Sequence, residues 1–154
     1  MTFFLLALLI GVVAGSRTMT APAAVSWVAH LGWLDLAGTW LAFLGSVWTS
    51  LVLTLLALAE FVTDQLPSTP SRTVPVQFGA RLVSGGICGA AIGTAGGSMF
   101  GGLVAGVVGA VVGTLAGRAF RVRLAISLGS DRPAAFIEDA IAVIGAVLIG
   151  VALR

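Results

Sequence analysis

The chain has 154 residues, of which 58% are apolar and 9% are charged, and its formal net charge is +2. Roughly a quarter of the residues in a soluble domain are charged, so this composition excludes an ordinary soluble globular domain. The basic residues are all arginines, and most lie in short loops between apolar runs. That distribution is typical of membrane orientation rather than of a nucleic-acid-binding face, so we expect no nucleic-acid partner.

The apolar runs are long, rich in Leu, Ala and Gly, and not alternating, which predicts helices rather than barrel strands. We therefore predict an all-α integral membrane protein with a single transmembrane domain over 1–154. The N-terminal run lacks a basic n-region, so we read it as a retained span rather than a signal peptide. The predicted segments are 2–15, 21–34, 39–66, 74–94, 101–117 and 134–153.

Residues 21–34 form either a full crossing or a re-entrant segment, which leaves five or six hydrophobic helices. The loop after the fifth segment carries arginines at 118–123. Cytoplasmic loops are enriched in basic residues, so we predict that this loop lies in the cytoplasm. Counting back from it, six crossings place Arg17 and Arg72 on the cytoplasmic side as well. The charge pattern therefore favours six crossings with both termini outside.

Glycines recur at intervals of four in the fourth and fifth segments, and the interval breaks near a turn at 96–98. Such spacing forms flat stripes that let helix backbones touch, so we predict a glycine-packed centre built from these two segments. A pore or groove lined by backbone is the alternative. Cys88 lies in this run and is read as a small packing residue. The glycines are Gly85, Gly89, Gly93, Gly97, Gly101, Gly102, Gly106, Gly109, Gly113 and Gly117.

Two short motifs occur twice in the same order, which indicates a possible internal duplication with halves 1–66 and 67–154. An SRT motif occurs at 16–18 and again at 71–73. The acidic pair Glu60 and Asp64 is likewise followed later by a second acidic pair, Glu138 and Asp139. Inverted repeats are common in transporters, where the site lies at the interface of the repeats.

Ionisable residues inside predicted spans mark a candidate site, because charge within a bilayer is costly. With six crossings, the acids, arginines and hydroxyls of the repeated motifs converge in the cytoplasmic half. They could coordinate a cation, carry protons or hold an anion, and the alternative is a set of structural salt bridges. The candidate site residues are Glu60, Asp64, Glu138, Asp139, Arg17, Arg72, Arg81, Ser16, Thr18, Ser71 and Thr73.

Signals for catalysis are weak. His30 is the only histidine and lies between tryptophans, as expected of an interfacial residue. The chain has no His/Cys cluster for zinc and no serine in a nucleophile elbow. We expect no enzymatic activity, no cofactor and no firmly assigned metal.

Four stretches together resemble a family of small bacterial membrane proteins that is catalogued only as a domain of unknown function, number four-one-two-six. They are GSRTMTAPAAVSWVAHLGWL, LAEFVTDQLPSTPSRT, GARLVSGGICGAAIG and FIEDAIAVIGAVLI. The resemblance covers nearly the whole chain and implies a multi-pass protein of the bacterial inner (cytoplasmic) membrane. It implies no activity.

The sequence thus predicts a small membrane transporter or channel for an ion or small polar solute, linked to cations or protons. Its small size predicts a homo-oligomer in the lipid bilayer. The alternative is a non-transporting membrane scaffold, or a lipid- or partner-binding protein, in which the charges are structural.

Overall fold

The computed structural model of the protein describes residues 1–64 and 74–154. This part of the chain is helical and contains no strand, so the prediction of an all-α fold is confirmed. The described residues form six α-helices, and a short 3₁₀ helix precedes the third. They are α1 (Thr2–Ser16), α2 (Thr20–His30), the 3₁₀ helix (Trp40–Gly45), α3 (Val47–Thr63), α4 (Pro75–Ala95), α5 (Met99–Leu128) and α6 (Asp131–Ala152).

Two predicted segments had the wrong bounds. The segment 39–66 is divided, because Ser46 is extended (φ −75°, ψ 136°) and separates the 3₁₀ helix from α3. The segment 101–117 was too short, since α5 continues through the arginine cluster and ends at Gly129, whose φ of 66° is left-handed. Exposed arginines are good helix formers, whereas a left-handed glycine ends a helix. The connection between the last two helices, left at 118–133 by the predicted segments, is therefore only 129–130.

The helices run alternately in opposite directions. Phe3, at the start of α1, lies against Gly96, just after α4, while the last residues of α1 lie against Arg81 near the start of α4. Helix α2 returns beside α6, since Val28 contacts Gly150 at the far end of that helix. The connection between α1 and α2 therefore lies at the same end of the bundle as the α5–α6 turn, while the N-terminus and the α4–α5 turn lie at the other end.

Helices α1, α4 and α5 pack together as a group of three, and each contacts the other two. A Cβ added at Gly89 would lie 2.7 Å from the Cα of Gly106, and the backbones of α4 and α5 are therefore in contact. On the same face of α5, a Cβ added at Gly109 would lie 3.0 Å from the Cα of Gly11 in α1. The predicted packing of α4 on α5 through glycines is observed, and α1 joins them as a third helix.

The bundle carries a large apolar surface. In the described part of the chain, α5 and α6 are long and apolar enough to cross a membrane, judged by length and composition alone. Only 33% of the most apolar window of each is buried, and α1 and α3 are shorter apolar helices. Large side chains such as Leu55, Val112 and Leu148 are exposed.

The two halves contain three α-helices each, but the repeated motifs do not occupy equivalent positions in them. Glu60 and Asp64 lie at the end of α3, whereas Glu138 and Asp139 lie near the start of α6. The possible duplication stays a prediction.

Substituting Gly89 with alanine should destabilise the fold, because the new Cβ would meet the α5 backbone, which cannot yield as a flexible side chain does. We expect a loss of about 1–3 kcal/mol in the free energy of unfolding, the range for overpacking. Gly79, in the same helix, has nothing within 4 Å of an added Cβ, so Gly79→Ala is the matched control. Alanine there should leave stability unchanged or raise it by up to ~1 kcal/mol. Equal thermal unfolding of both variants would contradict close backbone packing.

Candidate functional site

The candidate site is built around the break between α1 and α2, residues 17–19. Arg17 is extended (φ −137°, ψ 110°) and ends α1, and α2 begins three residues later. Each helix end leaves backbone groups without an intrahelical partner, and these need partners when they are buried. Because most of these residues are buried within the bundle, side chains of other helices supply those partners.

Glu60 of α3 caps the start of α2. Its Oε1 accepts the backbone N–H of Thr18 at 2.7 Å, and its Oε2 accepts that of Met19 at 2.8 Å. A carboxylate at this position satisfies two backbone donors and also meets the positive end of the helix dipole. The side chain therefore acts as an N-cap supplied from a distant part of the chain.

Arg81 of α4 provides the complementary interaction at the end of α1. Its Nη1 donates to the carbonyl oxygens of Gly15 at 2.7 Å and Ser16 at 2.8 Å. A cation is favourable beside the carbonyls at a helix C-terminus. The N-terminus of α2 thus meets an anionic side chain, and the C-terminus of α1 meets a cationic one. Each charge is opposite in sign to the helix dipole at that end.

Two hydroxyl groups complete the surroundings of the break. Ser84 of α4 donates to the carbonyl oxygen of Thr18 at 2.6 Å. Thr114 of α5 donates to Gly15 at 3.2 Å and to the i−4 carbonyl of Ala110 at 2.8 Å. Side chains from α3, α4 and α5 therefore satisfy the backbone at the break.

Arg17 itself lies in the interior, and its side chain is 0% exposed. Its guanidinium forms ion pairs with Asp64, just after α3, and Asp139 of α6, whose side chains are each 13% exposed. The ring of Phe61 lies 5.6 Å from Cζ of Arg17 in a cation–π arrangement. We call Arg17, Asp64 and Asp139 the arginine triad. One guanidinium is shared by two carboxylates from separate helices, and the Nε of Arg17 has no hydrogen-bond partner in the described residues.

A second charged group lies between α5 and α6, next to the triad. Arg121 donates to both carboxylate oxygens of Asp131, at 2.9 and 2.6 Å. Its Nη1 also lies 3.8 Å from Oε2 of Glu138, a buried acid adjacent in sequence to Asp139. The two groups together hold α6 against α5, α3 and the break.

The structure brings most of the sequence-predicted residues together at one end of the bundle. Ser16 and Thr18 take part through their backbones, as the contacts above show. Ser71, Arg72 and Thr73 lie outside the described residues. Within 1–64 and 74–154, no group of three or more His, Cys, Asp or Glu is arranged to hold a metal ion. The residues that meet around the break are Arg17, Glu60, Asp64, Arg81, Glu138 and Asp139.

Sequence reasoning missed Ser84, Thr114, Arg121 and Asp131 as parts of this site. Thr114 is the only hydroxyl residue in 99–117, and Ser84 comes three residues after Arg81, on the same helix face. Those signals were present in the sequence. The pairing of Arg121 with Asp131 and Glu138 was hidden, because it depends on α5 continuing past the predicted end.

A pocket of about 430 Å³ lies at the opposite end of the bundle, around the 3₁₀ helix. The carboxylate of Asp35 accepts the N–H of Ala37 at 2.9 Å, and His30 lies 3.1 Å from the carbonyl of Gly45. None of the residues around the break lines this pocket. Its lining is Ala29, Gly32, Leu34, Asp35, Leu36, Ala37, Ala42 and Gly45.

Comparison with known proteins gives no match for this chain among family models, curated proteins or solved structures. The resemblance drawn from the four sequence stretches therefore stays a prediction.

Substituting Glu60 with glutamine should destabilise the protein. An amide has one acceptor oxygen for two backbone donors, and it turns an N–H toward one of them. Since hydrogen bonds to charged groups contribute about 1.5–3 kcal/mol, we expect a loss in that range. Asp35→Asn is the matched control, an acid-to-amide change at an exposed backbone cap, and should cost under ~1 kcal/mol. A similar small loss in thermal unfolding for both variants would show that Glu60 does not cap α2.

Arg17 and Asp139 should be strongly coupled in a double-mutant cycle of Arg17→Met and Asp139→Asn. Arg17→Met leaves Asp139 without its cation, whereas Asp139→Asn leaves the guanidinium with the ion pair to Asp64 alone; the double change removes both members of the Arg17–Asp139 pair. We expect a coupling free energy of about 1–3 kcal/mol from chemical or thermal unfolding. The same cycle between Arg17 and Asp35, which lie at opposite ends of the bundle, should give no coupling. Additive losses for Arg17 and Asp139 would rule out the ion pair.

Proposed function

We propose that the chain is a multi-pass integral membrane protein of the bacterial inner membrane. A core helix in a soluble protein is mostly buried, whereas only 33% of the apolar windows of α5 and α6 is buried here. Residues 99–117 of α5 carry no charge, and at about 1.5 Å per residue they extend ~28 Å, close to the ~30 Å of a hydrocarbon core. The mean hydropathy of +1.12 and the resemblance to the membrane-protein family support the same assignment.

We propose further that it transports an ion or small polar solute, with transport linked to protons at the arginine triad. The observation that carries this is the sharing of the buried Arg17 guanidinium between Asp64 and Asp139. Ionisable residues within membrane spans commonly form proton relays, and transporter sites lie at interrupted helices. The triad combines both features, because Arg17 is itself the first residue of the break.

A proton at the triad competes with the guanidinium for a carboxylate. When Asp139 is protonated, its attraction to Arg17 weakens, and the guanidinium is held mainly by Asp64. The two acids lie on α3 and α6, so the change alters how those helices are held at the break. Glu60 and Arg81 continue to bind the backbone at the start of α2 and the end of α1 while the triad is protonated. A proton suits this geometry better than a metal ion, because the described acids do not form a group that could hold one.

The second candidate is a non-transporting scaffold or a lipid- or partner-binding membrane protein. One observation favours it: Glu60, Asp64, Arg81, Glu138 and Asp139 all have partners within the protein. In that case the charges hold the broken helix together and take no part in transport. A homo-oligomer, formed through the exposed apolar faces, is compatible with both candidates.

Thermal unfolding of the detergent-purified protein against a panel of cations, anions and small polar solutes separates the two. A ligand of the folded state raises the melting temperature, with ~2.7 kcal/mol of stabilisation at a hundred times its Kd. We expect a selective shift that differs between mildly acidic and mildly alkaline buffers. Asp139→Asn should remove the dependence on pH, and Asp35→Asn should retain it.

The contrary result is equally informative. If no solute shifts the melting temperature at any pH, and Asp139→Asn merely unfolds at a lower temperature, the transporter proposal fails. The scaffold candidate then stands.

A further inference from the structure

Helix α5 is longer than a membrane span requires. It contains 30 residues, and at about 1.5 Å per residue its length is ~45 Å, against ~30 Å for a hydrocarbon core. The uncharged part, 99–117, accounts for ~28 Å of this. The remaining residues 118–128 extend ~16 Å further and are joined to the first turn of α6. We call 118–136 the α5–α6 hairpin tip.

The hairpin tip contains four arginines in two different environments. Arg121 is mostly buried and pairs with Asp131 and Glu138. Arg118, Arg123 and Arg132 are exposed. In the described part of the chain, no carboxylate lies within ion-pairing distance of these three, so their positive charges are not neutralised by the protein.

The exposed face of the tip is also apolar. Val122 and Ile126 of the tip and Leu115 just before it lie within about 40° of one another around α5, at ~100° per residue, and all three are exposed. Arg118 and Arg123 lie on either side of this strip. On α6, Arg132 and the exposed Phe136 share a face, since they are four residues apart.

An apolar strip flanked by arginines suits the boundary between acyl chains and headgroups. Leu115 lies at the edge of the acyl region, while the arginines that follow reach the phosphates through their long aliphatic stems. A protein partner would more commonly meet a surface depleted of flexible charges at its core. The charge of the tip is complementary to the anionic lipids of the cytoplasmic leaflet.

We propose that the α5–α6 hairpin tip binds the headgroups of anionic phospholipids through Arg118, Arg123 and Arg132. This inference depends on the membrane insertion proposed above, but not on transport. Guanidinium groups bind phosphate in a bidentate manner. They favour anionic lipids over phosphatidylcholine, because the choline of phosphatidylcholine offsets the charge of its phosphate. Because the tip contains Arg121, which pairs with Glu138, bound lipid would also stabilise the end of the bundle that carries the arginine triad.

The test is lipid retention by the purified full-length protein in neutral detergent doped with phosphatidylglycerol or phosphatidylcholine. Native mass spectrometry counts the retained lipids, and melting temperature reports the stabilisation. Each arginine near an anionic surface contributes about a fivefold gain in affinity. Replacing Arg118, Arg123 and Arg132 together with alanine should therefore weaken phosphatidylglycerol binding roughly 100-fold. Replacement of all three by lysine should retain most of the preference, since the charge remains.

Arg154→Ala is the matched control. Arg154 is exposed at the opposite end of the bundle, where its guanidinium lies 5.5 Å from the ring of Trp33. Its removal changes the net charge by one unit but should leave retention of phosphatidylglycerol unchanged. Molar salt should abolish the preference in the wild-type protein, because it screens exposed charges.

Three outcomes would overturn the proposal: equal retention of both lipids by the wild type, unchanged retention in the triple alanine variant, or displacement of the lipid by millimolar inorganic phosphate. The last would assign the arginines to free phosphate. Alkaline carbonate extraction of cell membranes is done first. Release of the chain into the soluble fraction would overturn membrane insertion itself, whereas retention without lipid preference would overturn this inference alone.

Discussion

The interruption between α1 and α2 is the constraint on which the rest of this structure depends. An unbroken helix satisfies its own backbone, but a buried break leaves donors at one helix end and acceptors at the other. Here the protein satisfies them with a carboxylate from α3 and a guanidinium from α4. Each of those charges is stabilised by a helix dipole of the opposite sign. The break and the charged residues therefore need one another, and neither would be stable alone in an apolar bundle.

Close packing around α5 makes this arrangement possible. Glycines in α1, α4 and α5 bring the three backbones into contact, so that short side chains such as Ser84 and Thr114 reach the carbonyls of the break. With larger residues at those positions, the helices would separate and these hydrogen bonds would be lost. The glycine stripes thus set the positions of the polar groups, although they carry no chemistry themselves.

The arginine triad differs from the caps because it involves a side chain of the break rather than its backbone. Glu60 and Arg81 each meet backbone groups, which do not titrate. Arg17 meets two carboxylates, which are 75 residues apart in the chain, one just after α3 and the other in α6. The proposed proton-linked transport is located at this part of the site, since protonation of a carboxylate there would change the interaction between helices.

The sequence by itself determined the helical class, the position of the glycine packing and most of the polar residues. Apolar runs, intervals of four between glycines and rare charges are all read directly from the chain. Tertiary structure decided what each polar residue does. Glu60 and Asp64 are four residues apart on one helix, yet the first caps α2 and the second pairs with Arg17. The sequence also did not predict that α5 continues past Arg118 or that α1 packs against α4 and α5 through glycines. Local patterns report propensity and periodicity, whereas partners that are 40 to 120 residues apart are chosen by how whole helices pack.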